Sequence, residues 1–125
     1  METIEQLWQQ GPAAPAKALK AWQILLTYAR SGRPITYGQL ADHIGLGETA
    51  NTVTHNAVVY VMAYCSENDL PPLNAIVCNR DTGLPGDGLP DFSSVFGVFE
   101  FDWWNIRPPT TEELRQAWVD WQARQ

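Results

Sequence analysis

Apolar positions recur at helical spacing over the first part of the chain. Between Ala16 and Ser31, Trp22, Leu25 and Ala29 fall three or four residues apart, which places them on one face of a helix. The string "SGRP" follows, and its glycine and proline predict the end of that helix. A shorter helix is predicted upstream, over residues 2–10, ahead of "GPAAP".

The next pattern, "ITYGQLADHIGLG", predicts a short helix. Thr36 is placed as its N-cap, because a threonine hydroxyl accepts hydrogen bonds from the free N–H groups of a first turn. Leu40, Ala41 and Ile44 form its apolar face, and Gly45 is placed at its end. A short helix bounded in this way is typical of the first helix of a helix-turn-helix.

A longer helix and two strand-like runs follow. The helix is predicted from Thr49 or Asn51 through Ser66, and the prolines of "ENDLPP" end it. "LNAIVC" then predicts a strand, and "NRDTGLPGDG" a turn. "SVFGVFEFDW" predicts a second strand with aromatic side chains on both faces.

A last helical pattern, "RPPTTEELRQAWVDWQARQ", completes the order of elements. Thr110 or Thr111 as N-cap, with Glu113 after it, indicates a capping box. The whole order predicts an α+β fold: a small winged-helix-like domain with three N-terminal helices, a β-hairpin wing and a C-terminal helix. The chain has 125 residues and is expected to form one domain, 1–125.

Composition predicts a folded cytoplasmic protein. Hydrophobic residues make up 45% of the chain, and no apolar run approaches the roughly 20 residues of a membrane span. The string "METIEQLWQQ" lacks the basic and apolar pattern of a signal peptide. We therefore expect a cytoplasmic location and no membrane partner.

Charge is spread unevenly over a chain whose net charge is -6. Residues 11–47 hold four basic residues and one acidic residue, which gives +3, whereas residues 48–102 hold one basic and eight acidic residues, which gives -7. The overall charge argues against non-specific nucleic-acid binding, which depends on neutralising phosphates. The basic part still fits a phosphate backbone, and the acidic part fits a basic protein or serves solubility alone.

Three segments resemble the alkylguanine-DNA alkyltransferases and their alkyltransferase-like relatives. "ITYGQLADHIG" resembles that family's "TYGxIA" segment, and "NAVVYVMAYCSENDLPPL" occupies the place of its recognition helix. "LNAIVCNRDTGLPGDG" resembles its active-site strand and wing, so the resemblance extends from Ala16 to Gly88. It implies a winged-helix architecture that binds DNA.

The resemblance does not imply the family's chemistry, because key residues differ. Asn74 stands where the family has its alkyl-accepting cysteine, and Ala75 stands at the histidine that follows. Asn56 replaces the arginine that pushes a base out of the stack, while Tyr37 matches a tyrosine near the DNA backbone. Without the thiolate and its base, we expect no enzyme and no cofactor.

The cysteines and carboxylates indicate no other catalytic centre. Cys65 and Cys78 lie in apolar segments and are interpreted as structural, with a displaced nucleophile at Cys78 as the alternative. The spacing of the two cysteines and two histidines fits no metal site, and none is expected.

The leading hypothesis is a non-catalytic module that binds double-stranded DNA. The start of the third helix carries short hydrogen-bonding side chains, as in a recognition helix that meets base edges. A solvated, capped helix end is the alternative. The predicted nucleic-acid-binding residues are Lys17, Lys20, Arg33, Tyr37, Asn51, Thr52, Thr54, His55, Asn56 and Arg80, with Arg30 as a further phosphate contact.

The alternative hypothesis is an acidic inhibitor, immunity protein or adaptor that binds a basic protein. Its predicted contact residues are Asp81, Asp87, Asp91, Glu100 and either Trp103 or Trp104. Four tryptophans lie in the last 25 residues, where a core role is expected. An exposed pair among them would suit a protein interface or a homodimer.

Overall fold

The computed structural model describes residues 13–45, 57–78 and 92–125. Within them, five α-helices share one hydrophobic core with a parallel pair of two-residue strands. In chain order, the elements are α1 (Ala13–Arg30), β1 (Ile35–Thr36), α2 (Tyr37–Ile44), α3 (Val59–Glu67), the first 3₁₀ turn (Leu73–Ile76), β2 (Val77–Cys78), α4 (Phe92–Glu100), the second 3₁₀ turn (Trp103–Asn105) and α5 (Thr111–Ala123). The molecule is a small, mostly helical α+β structure, as predicted at that level.

Helix α1 is the central element, because it contacts each of the other four helices. Ala21, Trp22 and Leu25 on its apolar face are fully buried, which confirms the helix and the face that the spacing predicted. The helix ends at Arg30. Gly32 follows with φ of 68°, a left-handed backbone that glycine adopts without strain.

Helix α2 begins with the predicted cap. The Thr36 side chain accepts from the Gln39 backbone N–H, and the Gln39 side chain accepts from the Thr36 N–H, which completes a capping box. Leu40, Ala41 and Ile44 are buried, as the apolar pattern predicted. The short helix is therefore set locally by its cap and held by burial of one face.

Helix α3 packs against α1, the first 3₁₀ turn and α5 in the core. A π-helical turn at residues 57–58 leads into it, and Tyr60, Val61 and Tyr64 are buried. Its end near Ser66 was predicted; its predicted start at Thr49 or Asn51 lies outside the described residues. The predicted helix over residues 2–10 and the predicted turn after Cys78 also lie outside them.

The predicted strand "LNAIVC" is mostly a turn. Residues 73–76 form a 3₁₀ turn, in which the Ala75 N–H donates to the Pro72 carbonyl at 2.8 Å. Only Val77 and Cys78 are extended, paired in parallel with Ile35 and Thr36. The pairing stops after two residues because β1 leads directly into α2.

The predicted second strand, "SVFGVFEFDW", is wrong, and so is the β-hairpin built on it. Residues 92–100 form helix α4 instead. Val95, Val98 and Phe99 fall at the helical spacing of i, i+3 and i+4, with Val98 fully buried and the other two packed against the core. The same residues fit both an alternating and a helical pattern, and burial of this helical face decides between them.

In helix α5, the structure confirms the predicted capping box and apolar face. The Thr110 side chain accepts from the Glu113 N–H, and the Glu113 carboxylate accepts from the Thr110 N–H. Leu114 and Trp118 are buried against α3, where Trp118 lies 6.0 Å from the Tyr60 ring. The cap and the apolar face together define this helix.

Replacing the capping residue tests that account. Thr110→Ala removes the side-chain acceptor for the Glu113 N–H, so we expect the free energy of unfolding to fall by about 1 kcal/mol. Urea unfolding followed by circular dichroism measures the change. Thr111→Ala, at the neighbouring exposed position, is the matched control and should change stability much less; equal losses would refute the cap.

Lowering the pH should show how far the Arg107–Glu113 ion pair at the start of α5 stabilises the fold. Hydrogen bonds from Arg107, at 2.6 Å and 2.9 Å, and from the Thr110 backbone lower the pKa of Glu113 to about 2. A carboxyl group with a lowered folded pKa stabilises the fold above its ordinary pKa of about 4.3 and loses that contribution as the pH falls toward 2. In Arg107→Gln, we expect the protonation midpoint of Glu113 to rise, with less stability lost between pH 7 and pH 3.

Carboxyl-detected NMR titration and urea unfolding at the two pH values provide those measurements. Glu112 is an internal control, because Arg115 rather than Arg107 lowers its pKa. An unchanged Glu113 midpoint in Arg107→Gln would show that the ion pair does not set it.

Candidate nucleic-acid interface

Cations and polar groups of α1 and α2 come together on one side of the molecule. Lys20 Nζ donates to the Ile44 carbonyl at 3.0 Å, which ties α1 to the end of α2. Farther along the same two helices, Tyr28 Oη and His43 Nε2 are 3.2 Å apart. We call the surface formed by Lys17, Lys20, Tyr28, Arg33 and His43 the α1–α2 face.

Arg33 extends this face beyond the end of α1. Its guanidinium lies 5.1 Å from the centroid of the Tyr28 ring, an arrangement that attracts a cation to the ring face. The Arg33 side chain is exposed, so its N–H donors are open to solvent. Guanidinium, phenol and imidazole are groups that hydrogen-bond phosphate oxygens in protein–DNA contacts.

A cleft of about 340 Å³ lies at the N-terminal end of the α1–α2 face. It is lined by Ala16, Lys17, Leu19, Lys20, Gln23 and Ile44. Lys20 uses one of its three donors on the Ile44 carbonyl, so an ammonium group remains at the rim of the cleft.

Arg30, predicted as a phosphate contact, also has a structural role. Its Nη2 donates to the Trp103 carbonyl at 2.9 Å, and its guanidinium lies 4.4 Å from the centre of the Trp104 ring. These contacts hold the second 3₁₀ turn against α1.

The structure locates part of the predicted nucleic-acid set. Lys17, Lys20, Arg33 and Tyr37 are described, and Tyr37, the first residue of α2, is half-buried with its own interactions. The predicted base-reading residues and the wing arginine lie outside the described residues: Asn51, Thr52, Thr54, His55, Asn56 and Arg80. Sequence reasoning missed Tyr28 and His43, because no local pattern indicates a pairing that requires α1 and α2 to be packed together.

The predicted protein-binding set divides in a similar way. Asp81, Asp87 and Asp91 lie outside the described residues. Glu100 is exposed, and Trp104 is 72% exposed. The alternative contact Trp103 is wrong, because it is only 1% exposed and lies in the core.

Two other C-terminal tryptophans are also used within the chain. Trp118 is buried, and its ring stacks on the half-buried Trp121 with centroids 5.4 Å apart. Among the described large hydrophobic side chains, those most open to solvent are Trp104 and Phe96, the latter 64% exposed. The exposure of Phe96 was not predicted, because it follows from the helical form of residues 92–100, whose other face is buried.

A second cleft, of about 320 Å³, lies between α3 and α5. Three of its charged groups form ion pairs: Arg124 Nε lies 2.9 Å from Glu67 Oε1, and Glu113 binds Arg107. The remaining carboxylate, Asp120, accepts a hydrogen bond from Gln116 Nε2 at 2.9 Å.

The turn that resembles an alkyltransferase active site contains no thiol. Asn74 is 5% exposed within the first 3₁₀ turn, and its Oδ1 has no hydrogen-bond partner among the described residues. Ala75 beside it is buried and offers no base. An amide and a methyl group at these positions cannot carry out nucleophilic alkyl transfer.

The two cysteines differ in accessibility. Burial raises the pKa of Cys65 to about 12, opposed only in part by a hydrogen bond with the Leu73 backbone. Cys78 is half-buried at the end of β2, and neither thiol is oxidised. The described residues hold no cluster of three or more His, Cys, Asp or Glu side chains that could bind a metal ion.

Comparison with known proteins adds no relative. No protein-family model, curated protein or solved structure matches this chain. In the described parts of the chain, no helix combines the length and apolar character needed to cross a bilayer. The alkyltransferase resemblance therefore depends on its three sequence segments alone.

Thiol labelling tests the structural interpretation of both cysteines. Because the thiolate is the reactive species, we expect Cys65 to resist Ellman's reagent in the native protein and Cys78 to react first. Both should react in denaturant. Cys78→Ser should abolish the faster phase and Cys65→Ser should preserve it; a fast native phase from Cys65 would contradict the buried assignment.

Proposed function

We propose that this chain is a non-enzymatic, helix-turn-helix-like module that binds double-stranded DNA in the cytoplasm. In this proposal, the α1–α2 face contacts the phosphate backbone. The segment Asn51 to Asn56, which precedes α3 in the sequence, reads base edges. The alkyltransferase-like segments support this architecture, while Asn74 and Ala75 support the absence of alkyl transfer.

The observation that carries the proposal is the chemical nature of the partners of Lys20 and Arg33. Lys20 is held by a carbonyl, and Arg33 lies over an aromatic ring. Neutral partners orient a cation without cancelling its charge. Two such charges on one face can therefore still attract the phosphates that dominate protein–DNA affinity.

Arg115 on α5 and Arg124 directly after it have charged partners instead. Arg124 pairs with Glu67, and Arg115 pairs with Glu112, so each positive charge is matched by a carboxylate. The net charge of -6 is therefore compatible with one locally basic face. Asp42, exposed on α2, is the acidic residue that opposes it.

The order of elements supports the recognition part of the proposal. The capped, eight-residue α2 precedes α3, as the first helix precedes the recognition helix in a helix-turn-helix. Asparagine reads adenine through two hydrogen bonds, and threonine contacts the thymine methyl group. These are the residue types that the sequence places immediately before the described part of the third helix.

A pair of charge-matched double variants tests the proposal. Fluorescence anisotropy with labelled duplex DNA, titrated with salt, should show micromolar or tighter binding for the native chain. Lys20→Gln/Arg33→Gln should weaken binding at every sequence and reduce the slope of log affinity against log salt by about one per lost phosphate contact.

Arg115→Gln/Arg124→Gln is the matched control, because it removes the same charge from cations that are already paired. It should bind DNA nearly as the native chain does. If both double variants weakened DNA binding equally, the loss would reflect net charge rather than contacts of the α1–α2 face. Absence of binding at low salt would exclude a DNA-binding role.

A further inference from the structure

Tyr28 connects two exposed side chains that can carry positive charge. Its Oη lies 3.2 Å from His43 Nε2, and the two ring centroids are 6.0 Å apart. The Arg33 guanidinium lies 5.1 Å from the centroid of the same phenol ring. Tyr28 is half-buried, whereas His43 and Arg33 are exposed. The three side chains therefore form one connected cluster, which α1, α2 and the residues after α1 supply together.

A neutral His43 leaves the Tyr28–His43 pair with a single donor for any other group. A neutral imidazole has one N–H, and a phenol has one O–H. In one tautomer the Tyr28 O–H donates to Nε2, which leaves Nδ1–H for another acceptor. In the other tautomer Nε2–H donates to Tyr28 Oη, which leaves the phenol O–H. Both arrangements use one of the two hydrogens within the pair.

Protonation of His43 changes the number of available donors. Both ring nitrogens then carry a hydrogen, so Nε2–H donates to Tyr28 Oη, and both Nδ1–H and the phenol O–H are free to donate to another acceptor. The pair gains one outward donor and one positive charge. A DNA phosphate accepts hydrogen bonds and carries negative charge, so it matches both gains. Histidine is the side chain whose charge ordinarily changes between about pH 5 and pH 8.

The charged groups around His43 act in both directions. Helix α2 packs against α1, β1 and β2. Arg33 opposes a second positive charge on the cluster, whereas Asp42, exposed beside His43 on α2, favours it. A bound phosphate adds negative charge and therefore favours the charged imidazole. The described ionisable side chains of these elements and of the turn after α1, other than His43, are Lys17, Lys20, Tyr28, Arg30, Arg33, Tyr37, Asp42 and Cys78.

We propose that Tyr28, His43 and Arg33 form a site for a DNA backbone phosphate, and that protonation of His43 strengthens this site. Arg33 provides the charge that is always present, and the imidazolium provides the charge that depends on pH. The inference rests on the proposed DNA-binding function and adds a regulation of it, because affinity should rise as the pH falls from about 8 to about 6. By linkage, DNA binding should raise the protonation midpoint of His43.

Duplex binding at two pH values tests the site. Fluorescence anisotropy with labelled duplex DNA, titrated with salt, is measured at about pH 8 and about pH 6. For the native chain, we expect severalfold tighter binding at the lower pH, with a salt slope steeper by about one, because one more phosphate is neutralised. His43→Gln should show the same affinity and the same salt slope at both pH values. His55→Gln removes the other histidine of the chain and should retain the rise in affinity.

Two further measurements separate the parts of the site. Tyr28→Phe retains the ring beside Arg33 but removes the hydroxyl group, so the salt slope should still steepen at the lower pH while the gain in affinity becomes smaller. NMR of the imidazole nitrogens follows His43 directly, and its protonation midpoint should be higher with duplex DNA than without it. Circular dichroism of each variant checks that the helices are retained.

Three results would overturn the inference and leave DNA binding intact. These are the same pH dependence in His43→Gln as in the native chain, loss of that dependence in His55→Gln, and a His43 midpoint that DNA does not change. The full native gain in Tyr28→Phe would remove Tyr28 from the site. Absence of duplex binding at both pH values would refute the proposed function, and this inference with it.

Discussion

The edge-to-face contacts of Trp22 organise the whole molecule. Its ring lies 5.3 Å from Tyr64 of α3 and 6.1 Å from Trp103 of the second 3₁₀ turn, so one buried side chain of α1 joins three distant parts of the chain. Aromatic pairs of this kind contribute about 0.5–1.5 kcal/mol beyond the burial of their area. A small domain has only about 5–15 kcal/mol of total stability, so these contacts are a substantial part of what defines the fold.

Burial of Trp103 also determines the surface beside it. In a 3₁₀ turn, successive side chains point about a third of a turn apart, so a core position for Trp103 directs Trp104 outward. Arg30 contacts both residues. Its Nη2 donates to the Trp103 carbonyl, and its guanidinium lies over the Trp104 ring. The exposure of Trp104 is thus a direct consequence of the burial of Trp103.

Local signals predicted the elements that they alone control, and failed where packing chooses between patterns. Local patterns predicted the caps at Thr36 and Thr110 and the apolar face of α1, because residues close together in the sequence form them. Helix α4 was predicted as a strand, since alternating and helical spacing coexist in its sequence and only burial of Val98 against the core decides. The parallel pairing of β1 with β2, the Tyr28–His43 contact and the role of Arg30 depend on distant residues, and no local pattern predicts them.

The distribution of charge shows why a count along the sequence is a poor description of a surface. Counting assigns Lys20, Arg30 and Arg33 to one basic stretch, yet Arg30 is held by a turn that belongs to the acidic half of the chain. Lys20 and Arg33 are oriented by a carbonyl and a phenol ring, which do not cancel their charges, whereas Arg115 and Arg124 are paired with carboxylates. A chain with an excess of acidic residues can therefore keep one face available to anions, because what matters is which partner each charge has already taken.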